Sequence, residues 1–432
     1  MSTQAQPELA RKSAKAEVCK VAVLGFGTVG RAVVEILTYR HPAAIKLTHI
    51  FNRNVASKHV SWVPKDVRWT EDIDEVLASD VDLVIELMGG VEPAKQWVRR
   101  ALESGKSVVT ANKQLIANAG AELIELAQRK GVLLEFGASV AGGIPVLLGL
   151  QKGLSGDQIF KITGILNGTC NYILTRIESS GVTFDSALAE AQQFGYAEAD
   201  PTDDLEGYDA RAKLAILARV GLHAQVHPEE IAVSSITPIQ PVDFHYANLL
   251  GCTIRQVSSA ALEGQRLVAF VQPAVIPTTS PLARVRGSEN VVISTGKYGG
   301  ETAFSGHGAG GHPTAVAVIS DVLLIAQQRG TAQLTPAKKQ ELTSEVTTPH
   351  YVRFVVRDRP GIIAHLAKVF SKYSINIDAV FQKPGFAKTS LPFVITLEAC
   401  GRSVLDEALA EIAEADFHVE PPLSLPILKE TN

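Results

Sequence analysis

The amino-acid sequence predicts an α/β chain in three parts: a doubly wound sheet at the front, an α+β domain in the middle and a βαββαβ module at the end. Three observations carry this reading. A buried apolar strand runs into the turn Gly25-Phe26-Gly27-Thr28-Val29-Gly30, and further apolar runs of strand length follow at βα spacing. An acid-rich block at 198–213 then opens a long helix-periodic stretch. Beyond residue 348, strand and helix patterns alternate in βαββαβ order over about 80 residues.

Composition bounds what such a chain does. With 432 residues and 46% hydrophobic content it can bury two or three domain cores. The formal charge of −4 is scattered and gives no basic stripe, so no nucleic-acid partner is expected. The longest uncharged stretches, 136–150 and 267–283, are too short or too rich in Gly and Pro to span a membrane. The first 18 residues lack the apolar core of a signal peptide and read as a disordered tail. Cys19, Cys170, Cys252 and Cys400 have no paired spacing, which argues against a disulfide framework or a zinc site. A cytoplasmic chain is expected.

The front part, 19–145, is a Rossmann-type dinucleotide-binding unit. After the strand at 20–24, Gly25 permits a tight turn, Gly27 lets backbone approach a pyrophosphate, and Gly30 permits close helix packing; Phe26, Thr28 and Val29 complete the cradle. The following helix, 31–39, points its N-terminus at the phosphates. A tight strand-helix turn without a ligand is the plainer alternative. The second strand, 46–51, ends in Phe51-Asn52-Arg53-Asn54 and offers no acid to the ribose hydroxyls. Arg53, with Lys58 nearby, suits a 2′-phosphate, so NADP is favoured over NAD, although an arginine in a loop is also an ordinary surface residue. Strands at 81–86, 107–110 and 132–136 follow. The 107–110 strand ends in Thr110-Ala111-Asn112-Lys113, and ligands of open α/β sheets bind at carboxyl ends of strands. Lys113 is thereby placed where nicotinamide and substrate meet, the alternative being a solvated loop lysine.

The middle part, 146–335, follows the small-residue segment 136–145, which lets backbone carbonyls converge. The stretch 164–174 passes from strand to helix, with Gly168 and Thr169 at the helix start. Cys170 has no histidine near it in sequence, so a packed cysteine is favoured over a thiol nucleophile. Asp200-Pro201 reads as an N-cap and first turn, and Leu205, Ala212, Ala215, Ile216 and Val220 continue with helical apolar spacing. Asp209 and Lys213 then share a face. A surface ion pair is the usual meaning of that spacing. Yet six carboxylates lie between Glu198 and Asp209, and such crowding beside one amine suits a ligand that carries an ammonium group. The loop 306–314, with Gly308 inside it, opens an apolar helix at 315–328 and offers another amide cradle; its two histidines line the loop rather than bind metal.

A polar linker, 336–348, precedes the last part, 349–432. There the pattern gives a strand at 351–357, the turn Asp358-Arg359-Pro360-Gly361, a helix at 362–373, strands at 376–382 and 392–398, a helix at 403–415 and a strand at 417–420.

The glycine turn at 25–30, Thr110 to Lys113, Asn167-Gly-Thr-Cys-Asn-Tyr172, the 198–213 block and the 306–314 loop occur in the order found in bacterial homoserine dehydrogenases, which the chain resembles over nearly its whole length. The resemblance implies reversible NAD(P)-dependent interconversion of L-aspartate 4-semialdehyde and L-homoserine, on the route to threonine and methionine, with the middle part as catalytic and dimerisation domain. It implies that Glu198, Asp204 and Asp209 hold the amino acid beside Tyr196, Gly168 and Thr169. Lys113 and Lys213 would be the catalytic pair, each lowering the other's pKa, an effect that Asp209 partly opposes. Relatives carry a glutamate where this chain has Gly137, next to carbonyls that bind sodium. Val140, Gly142 and Ile144 still offer such carbonyls, and Glu135 is the expected substitute acid. The last part resembles an ACT domain, which implies paired domains, an effector near Gly361 and Asn376, and feedback inhibition by L-threonine; a purely dimerising sheet is the alternative. A homodimer or homotetramer is expected. Two other functions stay open: a phosphate-using semialdehyde-oxidising enzyme dependent on Cys170, and a non-catalytic amino-acid sensor that binds NADP.

Overall fold

The structure is a computed structural model that describes residues 18–40, 44–327 and 337–428. The expected tail up to residue 17, the last residue of the expected 315–328 helix and the expected boundary at 335–336 lie outside these residues.

The front sheet is built from β1 (Cys19–Leu24), α1 (Thr28–Arg40), β2 (Ile45–Phe51), β3 (Arg68–Thr70), α2 (Ile73–Ala78), β4 (Leu83–Glu86), α3 (Ala94–Glu103), β5 (Ser107–Thr110), α4 (Lys113–Lys130) and β6 (Leu134–Glu135). Its strand order is β3-β2-β1-β4-β5-β6, with every pair parallel. Residues 21–24 of β1 and all of β4 are buried, as strands covered by helices on both faces must be. The chain winds outward in opposite directions from β1 and β4, so a crevice opens at their carboxyl ends. β3 was not expected; three residues are too few to show a period of two.

The second sheet is mixed. The elements of this part are α5 (Val146–Leu148), β7 (Ile159–Ile165), α6 (Gly168–Ser180), α7 (Phe184–Gln193), α8 (Thr202–Leu205), α9 (Tyr208–Gly221), β8 (Ala224–Gln225), β9 (Ala232–Val233), α10 (Pro241–Leu249), β10 (Cys252–Glu263), β11 (Arg266–Pro277), α11 (Pro281–Arg284), β12 (Glu289–Gly296), β13 (Gly300–His307), α12 (Gly311–Ala326), β14 (Lys338–Lys339) and β15 (Glu341–Thr343), of which β8 and β14 form a separate two-stranded sheet. The order of the mixed sheet is β13-β12-β7-β10-β11-β15, with β9 also paired to β11. β10 and β11 form a long antiparallel hairpin from Cys252↔Pro277 to Glu263↔Arg266. Leu214, Leu217 and Ala218 of α9 share one core with Ile162, Ala260 and Ala269 of the sheet.

Two expectations are corrected here. The single helix read from Asp200 onward is two, because Glu206 and Gly207 interrupt it and Gly207 adopts φ +85°. Asp200 still accepts hydrogen bonds from the Thr202 amide (3.1 Å) and hydroxyl (2.6 Å), but at the start of α8 only. The stretch read as a polar linker carries strands: β14 pairs with β8, and β15 with β11.

α12 leaves the second sheet and lies on α1. Its Ala315, Val318, Ile319 and Val322 join Val33, Val34 and Leu37 in one buried cluster. The last part comprises β16 (Thr347–Val356), α13 (Ile362–Lys372), β17 (Ile377–Phe381), β18 (Leu391–Gly401), α14 (Arg402–Ala413) and β19 (His418–Pro426), with antiparallel order β17-β18-β16-β19. It is fixed to α10 by a buried polar contact in which Asp243 accepts from the Tyr351 hydroxyl (2.8 Å) and pairs with Arg353. Among the described residues no helix is long and apolar enough to cross a membrane.

Candidate active site

The glycine turn sits at the crevice between β1 and β4. Gly25 has φ +103°, and a β-carbon there would lie 2.9 Å from the Leu87 carbonyl oxygen. A β-carbon on Gly30 would lie 2.0 Å from the Gly25 oxygen, so this glycine closes α1 against the turn. Above Gly27 there is open space within 4 Å. The Phe26 ring is buried edge-on against Trp69, at 4.9 Å between centroids, and its amide donates to the Asn52 side chain (3.3 Å). The N-terminus of α12 meets that of α1 here, a β-carbon on Gly311 lying 3.2 Å from the Thr28 oxygen. Neither helix has an acidic residue in its first turn, and their combined dipoles favour an anion. These features fit a dinucleotide pyrophosphate. Val29 is half-buried on α1, and Arg53 is exposed just beyond β2.

Lys113 is the first residue of α4, and a buried network sets its position. Thr110 donates to the Glu86 carboxylate (2.6 Å) and accepts from the Asn112 amide (2.9 Å). The Asn112 side chain caps α4 through the Leu115 amide (3.0 Å) and donates to the Gly90 carbonyl (2.6 Å). Burial raises the Glu86 pKa, its hydrogen bonds opposing the shift.

The acid-rich block converges on Asp209, which is 5% exposed at the start of α9. Its two oxygens take one lysine each: Lys113 Nζ at 2.5 Å and Lys213 Nζ at 2.7 Å. Burial alone would raise the Asp209 pKa, but the two ammonium groups prevail and hold it well below the usual carboxylate range. Lys213 also donates to the Leu166 carbonyl (2.8 Å). Burial pulls the Lys113 pKa down, yet Asp209, with Asp204 and Asp203 behind it, outweighs this and leaves it raised. The expected mutual lowering of the two lysines is thus corrected for Lys113. The shared carboxylate between them dominates.

Asn167 connects this pair to the rest. Its Nδ2 donates to Asp204 (2.6 Å) and Asp209 (3.0 Å), while its Oδ1 caps α6 through the Cys170 amide (2.8 Å). Burial, then repulsion from Asp209, raises the Asp204 pKa. Gly168 and Gly308 both press on the start of β12, at the Ser288 carbonyl and the Asn290 side chain. Asn290 is 1% exposed and neither polar atom of its side chain has a hydrogen-bond partner.

The structure therefore gathers Lys113, Lys213, Asp204 and Asp209 at one point, with Gly168 and Thr169 at the adjoining start of α6. Thr169 donates its hydroxyl to the Tyr196 carbonyl (2.6 Å) and its side chain also contacts the Asp204 carboxylate. Other expected residues stand apart: the Tyr196 ring is half-exposed beside Tyr172. The Glu198 side chain is exposed, its carbonyl accepting from Gln192. Cys170 is fully buried, donates to the Asp204 carbonyl and has a pKa driven far up by burial, the opposite of a reactive thiol.

At the loop with Val140, Gly142 and Ile144, Ala141 and Gly142 have positive φ. Gly137 could not carry a side chain: a β-carbon there would lie 2.8 Å from an Asp321 oxygen. Asp321, on α12, accepts from the Gly137 amide (2.8 Å) and fills this space, with Glu135 close beside it. Burial and the adjacent Glu135 push the Asp321 pKa up to about 8. Among the described residues there is no group of three His, Cys, Asp or Glu residues disposed to hold a metal. In the last part, Gly361 precedes α13 and Asn376 follows it, so eleven residues of helix, roughly 16 Å, separate them within one chain.

Three segments of the chain match known families. Residues 25–136 match the family "Homoserine dehydrogenase, NAD binding domain", 145–323 match "Homoserine dehydrogenase", and 350–417 match "ACT domain". A homoserine dehydrogenase of Mycobacterium leprae is 40% identical over 419 residues, covering 92% of this chain and 94% of that protein. One of Bacillus subtilis is 38% identical, covering 84% and 88%. The crystal structure of a homoserine dehydrogenase from Thiobacillus denitrificans superposes with a TM-score of 0.88 at 31% identity, covering 96% of this chain and 99% of that one. A hyperthermophilic archaeal homoserine dehydrogenase in complex with NADPH gives 0.63 at 27% identity, covering 73% of this chain and 99% of that one.

Proposed function

The chain belongs to the homoserine dehydrogenase family, and from that premise we propose that it reduces L-aspartate 4-semialdehyde reversibly to L-homoserine, with NADP as the preferred cofactor and L-threonine as a feedback inhibitor. The observation that carries the chemistry is the buried Asp209 carboxylate shared by Lys113 and Lys213. The bound nicotinamide supplies the hydride. This chain's own task is to position the carbonyl and provide a proton where negative charge develops.

Lys213 is assigned that proton. An ammonium has three hydrogens, and Asp209 and the Leu166 carbonyl take two of them in fixed directions, which leaves the third for the substrate oxygen. Lys113, more exposed at 36%, is assigned to orienting the same oxygen from the crevice side. Asp204 and Asp209 are assigned to the substrate ammonium group, with Glu198 joining them from its exposed position. The same fixed contacts serve the reverse reaction, in which Lys213 accepts the proton of the homoserine hydroxyl.

The lack of an acid after β2 and the exposed Arg53 support NADP, as does the NADPH bound to the archaeal relative. The carbonyls of Val140, Gly142 and Ile144 remain the proposed monovalent-cation ligands, with Asp321 and Glu135 as the nearby acids. Because Gly361 and Asn376 lie at opposite ends of α13, an effector that uses both needs ACT domains of two copies, which supports a homodimer or higher oligomer.

The test is an absorbance assay at 340 nm with L-aspartate 4-semialdehyde, comparing NADPH with NADH and adding millimolar L-threonine. Turnover faster with NADPH and suppressed by threonine is the expected result. Equal turnover with both cofactors removes the role given to Arg53, insensitivity to threonine removes the effector, and no turnover removes the substrate.

A further inference from the structure

Two parts of the active site leave the second sheet at one place. β7 ends at Ile165, opposite Val291 of β12, and the chain runs on through Leu166 and Asn167 into α6. On the other side of β12, Gly306 of β13 pairs with Asn290, and residues 306–310 then lead into α12. Asn290 thus stands at a fork. One branch carries the Leu166 carbonyl that holds Lys213, and the other is the glycine-rich loop that reaches the start of α1.

The Asn290 side chain is tightly placed and has nothing to bond. A β-carbon on Gly308 would lie 2.3 Å from its Cγ, 2.5 Å from its Oδ1 and 2.6 Å from its Nδ2, so the Gly308 backbone rests directly on the carboxamide. A β-carbon on Gly168 would lie 3.5 Å from the same Oδ1. The approach to β12 is held by Asn171, 0% exposed, whose Nδ2 donates to the carbonyls of Gly287 (3.0 Å), Val285 (3.4 Å) and Glu289 (3.4 Å). Asn290 itself is 1% exposed, with both its donor and its acceptor unpartnered. Buried polar side chains are nearly always hydrogen-bonded, and an orphaned one costs more than an apolar group of the same shape. Packing alone would favour leucine here.

The loop that rests on Asn290 has unused donors of its own. Among the described residues, no acceptor takes the amides of Gly308, Ala309 or Gly310, and Ala309 and Gly310 are exposed. The Gly308 carbonyl oxygen is also close to Gly142, at 2.7 Å from where a β-carbon there would lie. Gly311 ends the loop against the Thr28 carbonyl, at the crevice that fits a pyrophosphate. The loop therefore extends from the orphaned carboxamide to the cofactor site.

We propose that Asn290 is a positioning residue for the cofactor and acts through Gly308: the dinucleotide favours the arrangement of residues 306–310 in which the loop backbone gives the Asn290 carboxamide its missing partners. The proposal rests on the reading of the crevice as a nicotinamide-dinucleotide site. A ligand shifts such an equilibrium by its differential affinity for the two arrangements, so an unpaired carboxamide that weakens the chain without cofactor strengthens the loaded one.

The experiment follows NADPH binding by cofactor fluorescence, and thermal midpoints with and without NADPH, for the full chain as wild type, N290L and N290A. Leucine keeps the volume and removes both polar atoms. N290L without cofactor is expected to melt at or above the wild-type midpoint, while its dissociation constant for NADPH rises about tenfold or more and the stabilisation by a fixed NADPH concentration shrinks. N290L that melts several degrees below wild type overturns the proposal, because the carboxamide is then satisfied without cofactor, as through a buried water. A dissociation constant within about twofold of wild type in either folded variant also overturns it. If N290L fails to fold, N290A decides: weakened binding with a cofactor-free midpoint within a few degrees of wild type supports the proposal, and a larger fall shows general loosening and overturns it. A wild-type chain that binds neither NADPH nor NADH removes the cofactor reading itself, before any variant is compared.

Discussion

Lys213 is held from two sides, by the Asp209 carboxylate and by the Leu166 carbonyl, in a setting where its side chain is only 12% exposed. An alanine at this position removes the proposed proton donor but leaves the crevice between β1 and β4 untouched. K213A is expected to lower turnover by roughly 10²–10⁴-fold while the dissociation constant for NADPH, followed by its fluorescence, stays within about threefold. Turnover within a few-fold of wild type would remove Lys213 from the chemistry. The i,i+4 spacing of Asp209 and Lys213 was visible in the sequence, as was the crowding of acids around them. What spacing could not reveal is that Asp209 serves a second lysine, Lys113, almost a hundred positions away. Asn167 was also missed, although the three-residue interval to the Cys170 amide is an ordinary N-cap signal that marks its side chain as engaged. Asn290 gave no signal, because a lone asparagine in an apolar run has nothing that separates it from a turn residue.

α12 presents Asp321 to the Gly137 amide, and this contact joins the helix to the end of the front sheet. Its folded-state pKa of about 8 lies above the ordinary value of 3.8, so the folded chain holds a proton there that the unfolded chain releases. The sign follows from linkage: this contribution is fully present below about pH 4 and is lost as pH rises toward 8. D321N keeps an acceptor for the amide but has no proton to lose. Its thermal midpoint is expected to gain on that of wild type between pH 5 and pH 8.5, measured by circular dichroism, whereas a constant difference across that range would contradict the assignment. The elements themselves were unequally legible. β1, β4 and β5 could be read because strands buried on both faces leave continuous apolar runs, the first of them next to a glycine turn. The β10–β11 hairpin escaped because Arg255, Gln256 and Ser258 are buried within it, Arg255 by pairing with Glu178 at 2.8 Å, and these polar residues erase the alternation of a half-buried strand. The break between α8 and α9 escaped because one glycine within a helical pattern is usually tolerated.

The ACT domain and the rest of the molecule are joined by charge as well as by apolar packing. Asp243 on α10 is 0% exposed, and Arg353 and Tyr351 of β16 are its partners. D243A would leave the Arg353 guanidinium buried against α10 without its carboxylate, at a cost of about 3–5 kcal/mol. The expected outcome is a lower thermal midpoint with faster proteolytic release of the C-terminal module and active-site turnover preserved at low temperature; a melting profile identical to wild type would show that the seam is held by other contacts. The three-part architecture was readable from the order of patterns. The attachment between the parts was not, since it depends on isolated residues far apart in sequence and on short strands, β14 and β15, that resemble a linker. The path of α12 has one more consequence. The cofactor-binding lobe is discontinuous, because the core that holds Val33, Val34 and Leu37 of α1 is completed by Ala315, Val318, Ile319 and Val322 from beyond the middle domain. A ribosome making this chain from its N-terminus leaves that core unfinished for as long as it takes to translate the intervening middle domain. The nascent front lobe, although first to emerge, therefore completes its core only when the catalytic part has been made, and the two halves of the active site reach maturity together.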